Sequence, residues 1–255
     1  MKKTTILAMV LLMALCAPGF SEGEYTVPGH VNLIEGVPAM PEVPEYTLTV
    51  EDGAAILTFA PGVITGFALR SEGSYEMAFA DDEDGDGVIA LDIPGGDTLD
   101  GVTVLMIFES DGNPAEYSIL DGVTHLFTSF GDETVLTSFY WTDGCLETYT
   151  QDLFPPEGDG FSLSCVYLPD GTLDSYNYVS NYAVVRYDAE NQLISFHRNV
   201  EGGACLYSAE TGEWSFVERG IGAGGSVTAL EDAPEGVDLA DYPPLTIVFE
   251  EEQDG

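Results

Sequence analysis

A ten-residue pattern recurs through the middle of this chain and restricts what it can become. "FESDGNPAEY" (108–117), "YWTDGCLETY" (140–149) and "YLPDGTLDSY" (167–176) each place an aromatic, two variable residues, Asp-Gly, and a second aromatic five positions on. Weaker copies are "FGDETVLTSF" (130–139), "YDAENQLISF" (187–196) and "YSAETGEWSF" (207–216). The last three starts, Tyr167, Tyr187 and Tyr207, are spaced by twenty, and leucine holds the seventh position as Leu136, Leu146, Leu173 and Leu193. Asp-Gly supplies the positive φ angles of a tight hairpin turn, so each copy reads as a hairpin with its leading aromatic and leucine flanking the turn. The leucine and the second aromatic stand three apart and face opposite sides in a regular strand. A bulge, or a sheet covered on both faces, reconciles this. Stacked copies give an antiparallel meander whose units bury their faces on each other.

The fifth copy continues as "YDAENQLISFHRNVEG", which resembles the YD repeat of Rhs-type surface and toxin proteins. The stronger copies resemble the Y-x-x-[DN]-G-x-L repeats of MORN-like bacterial proteins. The resemblance covers residues 105–217 and implies a scaffold, shell or binding surface, with no catalytic residues to carry over. The chain departs from the YD pattern at the glycine after the turn, which is Asn191 here.

The remaining segments agree with a β protein. Short runs such as "YTLTV", "AILTFA" and "VTVLMIF" are rich in β-branched and aromatic residues and are broken by Gly, Asp and Asn. No stretch carries helical periodicity. The expected fold is all-β, an antiparallel meander of repeated β-hairpins. Residues 46–104 form either a small N-terminal β-sandwich-like part, with an acidic loop, or the first strands of the same sheet. Residues 22–45, with Pro28, Pro38, Pro41 and Pro44, read as a linker or arm, and 105–219 as the repeat-hairpin region. In 220–255, "GIGAGGSV" lacks the lysine and flanking helix of a phosphate-binding loop and reads as a connector. A last strand and an acidic tail follow.

Residues 1–21 read as a secretory signal peptide: Lys2 and Lys3 precede an apolar run from Ile6 to Ala17, shorter than the ~20 residues a bilayer span needs. Bulky Leu15 before Cys16 argues against a lipobox, so secretion is preferred over surface anchoring through an acylated Cys16. Cleavage would leave four arginines and no lysine against 45 acidic residues, a formal charge of −41. Such a surface repels nucleic acid and anionic membranes and attracts cations, a basic surface protein or a basic glycan. Loss of lysine also removes Schiff-base chemistry. The 45% hydrophobic and 11% aromatic content is too high for a disordered acidic chain.

Few residues point to chemistry. Cys145, Cys165 and Cys205 allow one disulfide, with Cys145 and Cys165 brought near one another by a hairpin around "LFPPEGDG", or three buried thiols. His30 lies in the arm, and His125 and His197 sit in strand-like patterns without a nucleophile turn. Trp141 and Trp214, with the repeat tyrosines, suit either core packing or a sugar-stacking surface.

The most specific signal is "DDEDGDGVIALDIP" (81–94). Counted from Asp82 it gives Asp82-x-Asp84-x-Asp86-Gly87-x-Ile89, the first eight positions of an EF-hand-type loop. Position twelve is Ile93 rather than glutamate, with Asp92 one place earlier, and the flanks alternate like strands rather than helices. Asp82, Asp84, Asp86 and Asp92 are therefore the candidate ligands of a structural calcium ion. The competing reading is a solvated hairpin tip. Taken together, the sequence predicts a secreted acidic scaffold or binding module without catalytic activity, calcium-stabilised if the loop binds. An extracellular glycan hydrolase using an unidentified carboxylate pair is the alternative, and a toxin-associated piece or inhibitor the third reading.

Overall fold

The repeat hairpins form as read. The computed structural model describes residues 24–27, 42–74, 76–121, 124–131, 135–154, 160–180, 182–219 and 226–249. The expected signal segment with Cys16, most of the proline-rich arm with His30, most of the glycine-rich connector and the acidic tail lie outside the described residues.

The strands, in chain order, are β1 (Glu24–Val27), β2 (Tyr46–Glu51), β3 (Ala54–Phe59), β4 (Ile64–Ser71), β5 (Ala78–Asp81), β6 (Val88–Asp92), β7 (Val102–Ser110), β8 (Asn113–Ile119), β9 (Thr124–Gly131) and β10 (Val135–Thr142). They continue as β11 (Cys145–Leu153), β12 (Phe161–Tyr167), β13 (Leu173–Ser180), β14 (Ala183–Asp188), β15 (Leu193–Val200), β16 (Gly203–Ser208), β17 (Glu213–Glu218), β18 (Val227–Leu230) and β19 (Thr246–Phe249). Among the described residues, helix is confined to one 3-10 turn, Leu239–Asp241, and no helix is long and apolar enough to cross a membrane. From β7 to β18 every strand neighbours its successor in a 14-stranded antiparallel meander that β4 and β5 complete. β2, β3 and β6 make a separate three-stranded sheet, and β1 pairs with β19.

Two turn types close four of the repeat hairpins. Asp111 and Gly112 both have positive φ (51° and 80°), as do Asp143 and Gly144 (54° and 77°), the two-residue turn that Asp-Gly favours. The third and fifth copies use a longer loop. Leu168 N–H donates to Thr172 O and Gly171 N–H to Leu168 O, and Asp188, Gln192 and Asn191 repeat both bonds. Asn191 takes the left-handed position of Gly171, at φ 64° against 84°. Asparagine tolerates that region, so losing the glycine of the YD pattern leaves the turn intact. The expected bulge appears in the same copy: Arg186 pairs with Ser195 but Tyr187 with Leu193, which leaves Ile194 unopposed between Leu193 and Phe196.

The chain divides into two compact units. The first comprises Thr26–Gln151, Ser164–Asp174 and Val248–Gly255. Its meander strands carry a cross-strand aromatic row, Phe108–Phe127–Phe139–Tyr149, with ring centroids 5.2–6.2 Å apart. The three-stranded sheet buries Ala55, Leu57 and Phe59 from β3 and Ile89 from β6. Residues 66–69 of β4 are buried without alternation, the mark of a strand covered on both faces. On one side the Phe79 ring lies across Gly66, 3.0 Å from where a Cβ would stand. Tyr46 of β2 and Tyr117 of β8 share a hydrogen bond that ties the two sheets together. The 46–104 segment thus supplies strands to both sheets.

The second unit comprises Met1–Tyr25, Asp152–Leu163 and Ser175–Ile247. Here the aromatic row is Phe161–Tyr178–Tyr187–Tyr176, and Phe196 packs edge-on against Trp214 and Tyr242. A non-repetitive strap, residues 236–245, runs over it and buries Val237, Tyr242 and Leu245. Tyrosines of β13 and β14 hold the strap by its backbone. Tyr178 Oη donates to Pro243 O (2.9 Å), Tyr187 Oη to Tyr242 O (2.6 Å), and Leu245 N–H donates to Tyr176 Oη (3.1 Å). Replacing Tyr187 by Phe leaves a buried carbonyl without its donor, and we expect a loss of about 1–2 kcal/mol. Urea unfolding should show a lower midpoint at unchanged slope; an unchanged midpoint would contradict the strap's dependence on that hydroxyl.

Candidate metal centre at a crossover between two sheets

The acidic loop is not a hairpin tip. β5 pairs with β4 in the meander and β6 pairs with β3 in the small sheet, so residues 82–87 cross from one sheet to the other. The loop lies beside the return crossing, from β3 in the small sheet to β4 in the meander. Phe59 N–H donates to Gly87 O (2.9 Å), and a Cβ on Gly87, at φ 80°, would meet Phe59 O at 2.3 Å and Pro61 N at 3.1 Å. Only glycine fits so close to the neighbouring backbone in that conformation. Within the loop, Glu83 N–H donates to Asp81 O (3.0 Å) and Val88 N–H to Asp86 Oδ1 (2.9 Å), which orients the Asp86 carboxylate toward the loop backbone.

This path brings three of the four predicted ligands together. Asp82, Asp84 and Asp86 each present an oxygen within 4.8 Å of the others. Asp84 and Asp86 are exposed. Both carboxylate oxygens of Asp82 are shut off from solvent, and neither has a hydrogen-bond partner. Asp92 does not join them. It ends β6 opposite Ala54, four residues beyond Val88, on the order of 13 Å along the strand. Ile93, at the position of the EF-hand glutamate, is buried, and its N–H donates to Gly53 O.

The other candidates are structural. Among the described residues all three cysteines are free; Cys165 and Cys205 are buried and Cys145 is partly exposed. Thr150 Oγ1 reaches Ser164 Oγ at 3.5 Å across β11 and β12, which places Cys165 opposite mid-strand while Cys145 lies at the far turn, too distant for a disulfide. Burial pushes the Cys165 thiol up to about 12 and raises that of Cys205. Trp141 and Trp214 are 2% and 8% exposed, so neither offers a sugar-stacking face. His197 sits in β15 opposite Val184 and Leu206. His125 stacks on Tyr117 with rings 5.7 Å apart, and its Nδ1 shares a 2.7 Å hydrogen bond with Tyr117 Oη.

One feature was hidden from the sequence. Tyr46, Tyr117 and His125 form a continuous hydrogen-bonded chain beside a cleft of about 540 Å³ lined by Pro44, Thr58 and Phe59. Burial first, and then the neighbouring Tyr46 hydroxyl, push the Tyr117 phenol up to about 12. No motif announces the chain, because its members come from β2, β8 and β9.

No family model matches this protein, and searches of curated proteins and of solved structures find no match. The close approach at Gly87 gives a direct check on the loop path. Gly85 has φ 69° with nothing within 4 Å of a Cβ, so Gly85→Ala should cost about 1 kcal/mol. Gly87→Ala adds a clash with backbone and should cost about 3 kcal/mol or more. Thermal melts of the two variants compare them directly, and equal shifts would place the loop elsewhere.

Proposed function

We propose that the protein is a secreted, strongly acidic all-β scaffold or binding module that performs no catalysis. The observation that carries this reading is the direction of the repeat aromatics. The first, third and fifth copies bury both members, Phe108 with Tyr117, Tyr167 with Tyr176, and Tyr187 with Phe196. The second copy buries Tyr149 and half-buries Tyr140, the fourth and sixth copies half-bury both members, and the neighbouring Trp141 and Trp214 are buried. A glycan hydrolase of the kind considered from sequence would turn aromatics outward to stack on sugar rings between two carboxylates. Here those rings serve the core, and the turn tips present carboxylates.

The resemblance to Rhs-type and MORN-like repeats points the same way, since those families use such hairpins as scaffolds or binding surfaces. With a charge of −41 after signal cleavage, the partner that suits the outer surface carries basic groups, as a cationic surface protein or a basic glycan. Secretion fits a chain with a signal-like start and no lysine beyond it.

Two assays on the mature chain separate the scaffold from the hydrolase. Tryptophan fluorescence should resist acrylamide quenching and stay unchanged when neutral or amino-sugar oligosaccharides are added. Incubation with polysaccharides should release no reducing ends. Release of reducing ends that is lost on substituting a single carboxylate would overturn the proposal in favour of the enzyme.

A further inference from the structure

We propose that Asp82, Asp84 and Asp86 form a calcium site that latches the three-stranded sheet to the meander. Two independent observations carry it. The first is the geometry of the trio. Two oxygens bound to one calcium at about 2.4 Å lie at most about 4.8 Å apart, and the three carboxylates present oxygens within 4.8 Å of one another. The three carboxylates are close enough for one ion to draw an oxygen from each with small side-chain adjustments.

The second is the Asp82 carboxylate. Its two oxygens are buried and have no hydrogen-bond donor, although it points into a cluster of like charge. A buried carboxylate left unpartnered is strongly unfavourable, and such groups in folded proteins are paired or bind metal. Solvent does not reach the Asp82 oxygens, and among the described residues no arginine or backbone N–H bonds them. A hard divalent cation neutralises it and takes oxygens from Asp84 and Asp86 at the same time. Calcium suits the site better than magnesium. A short loop constrained by Gly85 and Gly87 offers an irregular oxygen set, which calcium accepts and which magnesium, with its strict octahedron, does not.

The role follows from where the loop runs. β5 and β6 are edge strands, four and five residues long, each paired with a single neighbour in its own sheet. The acidic loop is the covalent link between those edges and also carries the Phe59–Gly87 bond to the adjacent crossing. Without an ion, three carboxylates repel one another where the two sheets must stay together. With one, the repulsion becomes three charge-assisted contacts that fix both edges.

The test uses the full mature chain stripped with EDTA. Calcium chloride and magnesium chloride are titrated calorimetrically at matched ionic strength. Amide exchange is then followed with and without calcium. Variants Asp84→Asn and Asp86→Asn alter exposed side chains and keep their shape, and Asp92→Asn serves as an acidic control outside the trio. The proposal predicts saturable one-site calcium binding in the parent and in Asp92→Asn, weakened at least tenfold in the other two and not reproduced by magnesium. It also predicts slower exchange at Phe59 and through β6 when calcium is bound, and a higher melting temperature of both trio variants in EDTA, where repulsion has been relieved. Binding that magnesium matches, or that survives Asp84→Asn, would overturn the site. Calcium binding without slower exchange in β6 would overturn the latch. Neither result touches the scaffold reading, which stands on the aromatics.

Discussion

A sheet built from repeated hairpins has two faces, and large rings on one of them must be covered. That requirement governs this structure. Each fully buried aromatic or aliphatic side chain contributes about 1.5–3 kcal/mol relative to exposure, so a row such as Phe108–Phe127–Phe139–Tyr149 is worth having only under a lid. Neighbouring hairpins supply cross-strand contacts but cannot cover a face. In one unit the three-stranded sheet of β2, β3 and β6 meets that face at Tyr117, which shares a hydrogen bond with Tyr46 of β2. In the other the cover is an irregular strap with Val237, Tyr242 and Leu245 turned inward. Tyrosine makes both contacts specific. Its ring joins the row and its hydroxyl demands a partner, which the strap provides as Pro243 O and Tyr242 O and the small sheet provides as Tyr46.

Much of the meander was legible because hairpin turns are decided locally. Asp111-Gly112 and Asp143-Gly144 adopt the positive φ pair that their identities favour, and Asn191 substitutes for a glycine for the same local reason. The bulge at Ile194 was foreshadowed by a leucine and an aromatic set three apart. The strap was not legible. Residues 236–245, "GVDLADYPPL", show no strand alternation, and their place is fixed by hydrogen bonds to residues 55 and 65 positions away. The region read as connector, strand and tail therefore contains the lid of a core.

The acidic loop divides in the same way. The spacing of Asp82, Asp84 and Asp86 was readable, and the structure gathers them. Asp92 was drawn in by its nearness in sequence to an EF-hand position, but strand β6 is extended and carries it away. Alternating residues on either side of the loop identify two strands without saying that they pair with different partners, so a crossover looked like a hairpin. That the Asp82 carboxylate oxygens are shielded from solvent is likewise not visible in the sequence. Cys145 and Cys165 follow the same logic: their hairpin forms, but its register separates them.

The aromatic face of the meander is stable because it is covered. Native-state hydrogen exchange on Tyr242→Ala tests this most directly, since Tyr242 anchors the strap on Phe196 and its carbonyl receives the Tyr187 hydroxyl. Amides of β13 to β15 should lose protection together with the strap, because uncovering the rings weakens the strands that carry them. Full retention of protection in β13 to β15 with the strap released would contradict it, and would mean that the hairpin repeats hold themselves.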